Sequence, residues 1–233
     1  MQQSSSRPDS SISAKLHKTI ADYGSLPLEG TGAVKVDDQN QTQDLQPTPD
    51  TLLAMVLDAL LKSTRISHDL AQKTLSAVIR AGYHDIDTLS ASTFDDRVRV
   101  LSEGGYNRYR EQTATRLGEL AELVEEKYDG DLNNLLHQTS CQRDQIRRRL
   151  KEINGMGDLA VELFFDNAQA VWPCLAPFVD SRSLATAEEV GIGRDVDAMY
   201  AEVDRDPVEM SRLARGLSEV RLDKRQREIA QGV

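Results

Sequence analysis

Cysteine occurs only twice in the 233 residues, at Cys141 and Cys174. Two cysteines do not make a disulfide framework and cannot supply the four thiolates of an iron–sulfur cluster; they fit a reducing cytosol. No run of 18 apolar residues occurs, so no membrane span is expected. The start Met1-Gln2-Gln3-Ser4 carries no apolar stretch, so no secretory signal is expected either. Aromatic residues are 5% of the chain, with a single tryptophan, Trp172. Positive charge is also short: 28 Lys and Arg against 38 Asp and Glu, for a net charge of −10. Such a chain is not a non-specific polycation, so nucleic-acid binding requires a local basic face. His17, His68, His84 and His137 are scattered without the spacing of a zinc site and read as surface residues. No segment alternates with a period of two and β-branched enrichment, so the fold class is all-α.

Residues 1–47 are rich in Ser, Gln, Asp and Gly and are expected to form a disordered, low-complexity tail dispensable for folding. Within them, Ile12 to Tyr23 is amphipathic enough for a helix on a partner or on the domain itself. Ordered structure is expected from Thr48-Pro49, a cap followed by a proline suited to the first helical turn. Leu52, Leu53, Val56, Leu57, Leu60 and Leu61 recur at helical spacing. Further helices are expected over 67–81, 88–92, 94–103, 106–128, 132–136, 140–152, 157–168, 181–190, 195–203 and 207–221.

The most distinctive segment is Ile153-Asn154-Gly155-Met156-Gly157. Two glycines around one apolar residue make an h-x-G-h-G turn between helices. A missing side chain there lets backbone approach a phosphate, and the helix that follows presents free N–H groups to an anion. Arg143, Arg147, Arg148, Arg149 and Lys151 lie just upstream, opposed by Asp144, so the turn sits beside a basic patch in an acidic protein. A glycine bend between two ordinary helices is the plain alternative. Twenty-three residues after Gly157 comes Asp180, before Ser181-Arg182-Ser183-Leu184. It reads both as a helix N-cap and as a carboxylate able to stabilise positive charge or orient a water. Trp172 is suited to stack on a base or to pack under its loop. Arg182 and Arg194 are suited to phosphates or to solvent.

The order of these features resembles the helix-hairpin-helix superfamily of DNA glycosylases, the endonuclease III relatives, over roughly residues 50–220. Leu60-Leu61-Lys62-Ser63-Thr64 is similar to that family's first core helix and its exit loop, and Gly105-Tyr106-Asn107-Arg108-Tyr109-Arg110 to a later helix start. The resemblance implies a two-lobed helical domain over 48–233, with a hairpin lobe at about 106–175 and a second lobe from about 48–105 plus 180–221. It implies base excision from damaged double-stranded DNA, with Asp180 as the catalytic carboxylate. Asn154, Gly155, Met156, Gly157, Arg148, Lys151 and Arg182 would contact DNA. The carbonyls of Lys151, Ile153 and Met156 would hold a monovalent cation, K or Na. Where bifunctional members carry a nucleophilic lysine this chain has Leu159, which implies a monofunctional enzyme without Schiff-base lyase activity. Thr64 replaces a glutamine that fills the space left by a flipped base, and Asn107 or Tyr106 would have to serve instead. A monomer working in the cytoplasm on the nucleoid, or in the nucleus, is expected. Two other readings stand beside this one: a catalytically inactive DNA-binding relative, and a helical protein-interaction module.

Overall fold

A computed structural model describes residues 10–33 and 45–231. They form the helices α1 (Ser10–Tyr23), α2 (Pro49–Lys62), α3 (His68–Arg80), α4 (Ile86–Ala91), α5 (Phe94–Glu103), α6 (Arg110–Tyr128) and α7 (Asn133–Thr139). After these come α8 (Arg143–Leu150), α9 (Asp158–Ala168), α10 (Ser181–Glu189), α11 (Val196–Glu202), α12 (Pro207–Leu222) and α13 (Gln226–Gln231). A single 3-10 turn, Pro173–Leu175, precedes α10, and no strand occurs among the described residues. The fold is all-α.

The Thr48 hydroxyl caps α2 by accepting the Thr51 N–H at 3.1 Å, and Pro49 occupies the first turn. Every residue from Thr51 to Leu61 is buried. A helix apolar on all sides cannot be a surface element; it belongs at the centre of a core. α2 packs on both α3 and α9, and its Met55, Leu57 and Leu60 join Phe164, Phe165 and Trp172 in one apolar cluster. This hairpin core runs from Leu52 to Leu175, with Leu28 added from the N-terminal segment. A second core joins Leu16 and Ile20 of α1 to Val179, Ala187, Met210, Leu213, Leu217 and Ile229. The division differs from the expected one: residues 48–105 pack with the hairpin, because α2 buries its whole circumference there.

The N-terminal expectation also needs correction. Residues 10–33 are not a solvated tail. In α1, Leu16 and Thr19 are fully buried and Ile20 is nearly so, all against α12. The backbones approach closely: a Cβ on Gly216 would lie 2.9 Å from the Thr19 carbonyl oxygen. Arg212 Nε donates to Gly24 O at 3.0 Å, and Arg215 Nε to Ser25 O at 3.1 Å. The Ser- and Gln-rich runs on either side of α1 dilute its amphipathic signal when composition is averaged. At the other end, α13 buries Ile229 in the same core.

Cys141 and Cys174 are bonded to each other, a pairing at odds with the expectation of a reducing surrounding. The left-handed turn at Ser140 and Cys141 and the 3-10 turn bring their Cα atoms to 6.3 Å, within disulfide reach although they stand 33 positions apart. The bond ties the start of α8 to the loop that leads to Asp180.

Candidate active-site cavity and hairpin

α2, α9, α10 and α12 enclose a cavity of about 430 Å³ at the seam of the two cores. Its wall includes Asp58, Lys62, Leu159, Asp166, Asp180 and Arg215. Asp180 caps α10: its Oδ1 accepts the N–H of Arg182 at 2.8 Å and of Ser183 at 3.2 Å. The residue is 1% exposed, and its Oδ2 is buried with no protein partner. Capping therefore occupies one oxygen, while the other is buried beside Asp166. Leu159 lines the same cavity with an apolar side chain.

Sequence reasoning missed most of the polar groups around Asp180. Asp58, buried in the middle of the apolar α2, holds Lys62 Nζ at 2.8 and 3.1 Å from its two oxygens. Asn167 Nδ2 donates to Asp58 Oδ2 at 3.1 Å, and Asn167 Oδ1 accepts from Arg215 Nη1 at 2.9 Å. Ser25 anchors the rest of the Arg215 guanidinium, with its Oγ 2.8 Å from Nη2. Asp166 Oδ1 accepts the Asp180 N–H at 3.0 Å. Burial pushes the Asp166 carboxyl well above the usual carboxylate range, and the neighbouring Asp180 carboxylate pushes it the same way. One sequence signal was present: an acid inside an otherwise apolar run, as at Asp58, needs a buried partner. His68, part-exposed at the cavity rim, places Nε2 3.4 Å from Glu219.

The glycine turn joins α8 to α9. Gly155 has φ +98°, in the left-handed region, and a Cβ there would press on Arg116 and Leu60 side chains at 3.2 Å. Gly157 plays a different part: it precedes α9 in extended conformation, without a side-chain cap on the helix, and a Cβ there would meet only open space. The space in front of the α9 N-terminus is thus open to an anion. Ile153 and Met156 are buried, and Ile153 O accepts the Met156 N–H at 3.0 Å, which leaves that carbonyl a second lone pair for a cation. Asn154 Nδ2 donates to Glu119 Oε2 at 2.7 Å, so its side chain is turned to α6.

The basic run is partly committed within the fold. Arg143 Nη2 donates to Leu175 O at 2.6 Å and Pro177 O at 3.2 Å, and Arg147 stacks over Phe165 at 5.3 Å. Lys151 pairs with Asp158 at 2.8 Å, which holds the Asp158 carboxyl below its usual range. Arg149 pairs with Glu152 at 3.3 Å, whereas Arg148 is exposed and forms no ion pair among the described residues. Arg182 is exposed at the cavity rim, while Arg194 pairs with Glu188 at 2.9 Å.

The packing decides between the readings of two aromatic residues. Trp172 is 2% exposed, edge-on to Phe164 at 5.6 Å, and its Nε1 donates to Asn133 Oδ1 at 3.0 Å; it packs beneath its loop and is closed to a base. Tyr106 is 1% exposed and cannot act as a wedge. Thr64 does line the cavity, with its hydroxyl turned back onto Leu61 O at 2.7 Å, and Asn107 is exposed.

The all-helical architecture of the described residues is shared with a solved DNA glycosylase. The solved structure of H. pylori 3-methyladenine DNA glycosylase, MagIII, bound to 1,N6-ethenoadenine, is similar to this chain with a TM-score of 0.51 and 15% identity, over 91% of this chain and 98% of that one. No protein-family model matches the chain, and no curated protein matches it.

Proposed function

We propose that the chain is a monofunctional DNA glycosylase that hydrolyses the N-glycosidic bond of a damaged base in double-stranded DNA. The observation that carries this reading is Asp180, buried at a cavity wall with one oxygen locked by the α10 cap and the other unpartnered. A carboxylate so held stabilises an oxocarbenium-like sugar and orients a water for attack. Leu159 supports hydrolysis without a Schiff base, and hence without strand cleavage by that route. The backbone of Asn154, Gly155, Met156 and Gly157 would receive one phosphate, with Arg148, Lys151 and Arg182 adding charge. The Lys151, Ile153 and Met156 carbonyls would hold a monovalent cation that lends positive charge to that phosphate. We expect no iron–sulfur cluster, a monomer, and work wherever the DNA lies, on the nucleoid in the cytoplasm or in the nucleus.

The test is base release from duplexes carrying alkylated purines, uracil or oxidised pyrimidines, read by alkaline cleavage of the abasic product. Alkylated purines come first, because the similar H. pylori enzyme is a 3-methyladenine glycosylase. Asp180→Asn should lower base release by about 100-fold or more while DNA binding persists, and borohydride should trap no adduct with the wild type. Full base release by Asp180→Asn would sink the mechanism. A catalytically inactive DNA-binding protein is the second reading, favoured by the short Thr64 turned back on Leu61; DNA binding without base release from any of these substrates would establish it.

A further inference from the structure

Asp166 lies in the last turns of α9, 4% exposed, beside Asp180 in the wall of the same cavity. Two carboxyl groups are therefore buried together. The charged groups that share the cavity wall with them are bonded elsewhere or exposed. From α2, Lys62 is bonded to Asp58. From α12, Arg215 is bonded to Asn167 and Ser25, and Glu219 contacts His68. On α9 itself Glu162 accepts from Ser181, and on α10 the Arg182 side chain is exposed. Asp166 forms no ion pair among the described residues; what it receives is the main-chain N–H of Asp180.

The two positions differ in what they offer a negative charge. Asp180 stands at the N-terminus of a nine-residue helix, and its Oδ1 accepts two N–H groups. Asp166 stands near the C-terminal end of α9, where the helix dipole disfavours an anion, and its carboxyl accepts one. Adjacent buried carboxylates do not both ionise readily, so a single negative charge should settle on the better-supported site.

We propose that Asp166 and Asp180 form a one-proton pair, in which Asp166 keeps the proton and, as a positioning residue, holds Asp180 as the one anion facing the substrate. This rests on the glycosylase reading for its purpose but not for its existence. Loss of the Asp166 proton places a second anion against Asp180 and drives its carboxyl off the α10 cap. Base release should therefore fall on the alkaline side of the pair's upper titration.

Carbon-13 NMR of protein labelled at the aspartate carboxyl carbons decides the pairing. One resonance should titrate well above the ordinary aspartate value of about 3.9, vanish in Asp166→Asn, and remain in Asp180→Asn with its titration moved towards the ordinary value. A raised resonance that survives in Asp166→Asn and is lost in Asp180→Asn would assign the proton to Asp180 and overturn the proposal. So would the lack of any raised resonance in the wild type, a result that needs no variant to fold. The functional readout is base release from methylated duplex DNA against pH. The wild type should lose about tenfold per pH unit on an alkaline limb, and Asp166→Asn should lack that limb. The same limb in both proteins also overturns the positioning role. Absence of base release at every pH would instead count against the glycosylase reading, and the carboxyl titration would still decide the pair.

Discussion

The hairpin core draws its buried side chains from one nearly unbroken stretch, Leu52 to Leu175, while the second core joins Leu16 and Ile20 to residues 179–229. The first is organised around a helix buried on every side, and a disulfide closes a 33-residue segment of it. The second is held by contacts that span the chain, such as Arg212 to Gly24 and Arg215 to Ser25, separated by 188 and 190 positions. Contiguous segments close short loops at low entropic cost, whereas contacts between distant segments must offset a larger one. The cavity lies on the seam, with α2 and α9 on one side and α10 and α12 on the other. Asp180, capping α10, meets Asp166 of α9 at this junction.

Removing residues 1–33 would break the comparison most severely. Leu16, Thr19 and Ile20 would leave α12 uncovered, and Arg215 would lose its Ser25 anchor. Truncating one buried Leu or Ile to Ala typically costs about 2–5 kcal/mol, a large share of a domain stability of about 5–15 kcal/mol. Denaturant melts should show the second core opening while helical signal from the hairpin core persists. An unchanged melt would show that α1 contributes nothing.

The disulfide tests the opposite core. The chain-entropy of its 33-residue separation corresponds to roughly 3–4 kcal/mol. Cys141→Ser, or reduction of the wild type, should lower the melting temperature and loosen the hairpin segment first, as read by hydrogen exchange over α8 and α9. Equal protection in oxidised and reduced protein would contradict this.

Smaller effects sharpen the comparison at the seam and at the surface. The Asp166 carboxyl is raised in the folded protein, first by burial and then by Asp180. A raised folded value means that its contribution to stability is full below the unfolded carboxylate range and is lost as pH rises through the folded value. Wild-type melting temperature should accordingly decline across that window, and Asp166→Asn should flatten the decline. Arg148 lies on the outside of the hairpin core. Arg148→Ala should change stability by less than about 0.5 kcal/mol, yet reduce the salt slope of DNA binding by about one unit. An unchanged slope would remove Arg148 from the interface.

Legibility in the sequence followed the same division. Helix periodicity, the Thr48 cap and the glycine turn are local signals, and the structure contains α2, α3 and α8–α9 where those signals lie. Asp180 was readable because an N-cap is written in the residues next to it. The rest of the cavity was not, because Asp58 meets Asn167 across 109 positions and Arg215 meets Ser25 across 190. Composition misjudged α1, whose burial depends on α12 being present to cover it. Trp172 carried two readings that only the packing of Phe164 and Asn133 around it could separate.

The pairing of α1 with α12 has a consequence during synthesis. Leu16 and Ile20 leave the ribosome long before the surface that buries them exists. With about 190 residues still to be made, at about 5–20 residues per second, the delay is about 10–40 s. Through that interval α1 is an exposed amphipathic segment open to chaperones, and Arg215 has not yet been made. The cavity closes only after α12 has emerged, so a nascent chain that already displays its hairpin cannot yet hold the completed pocket around Asp180.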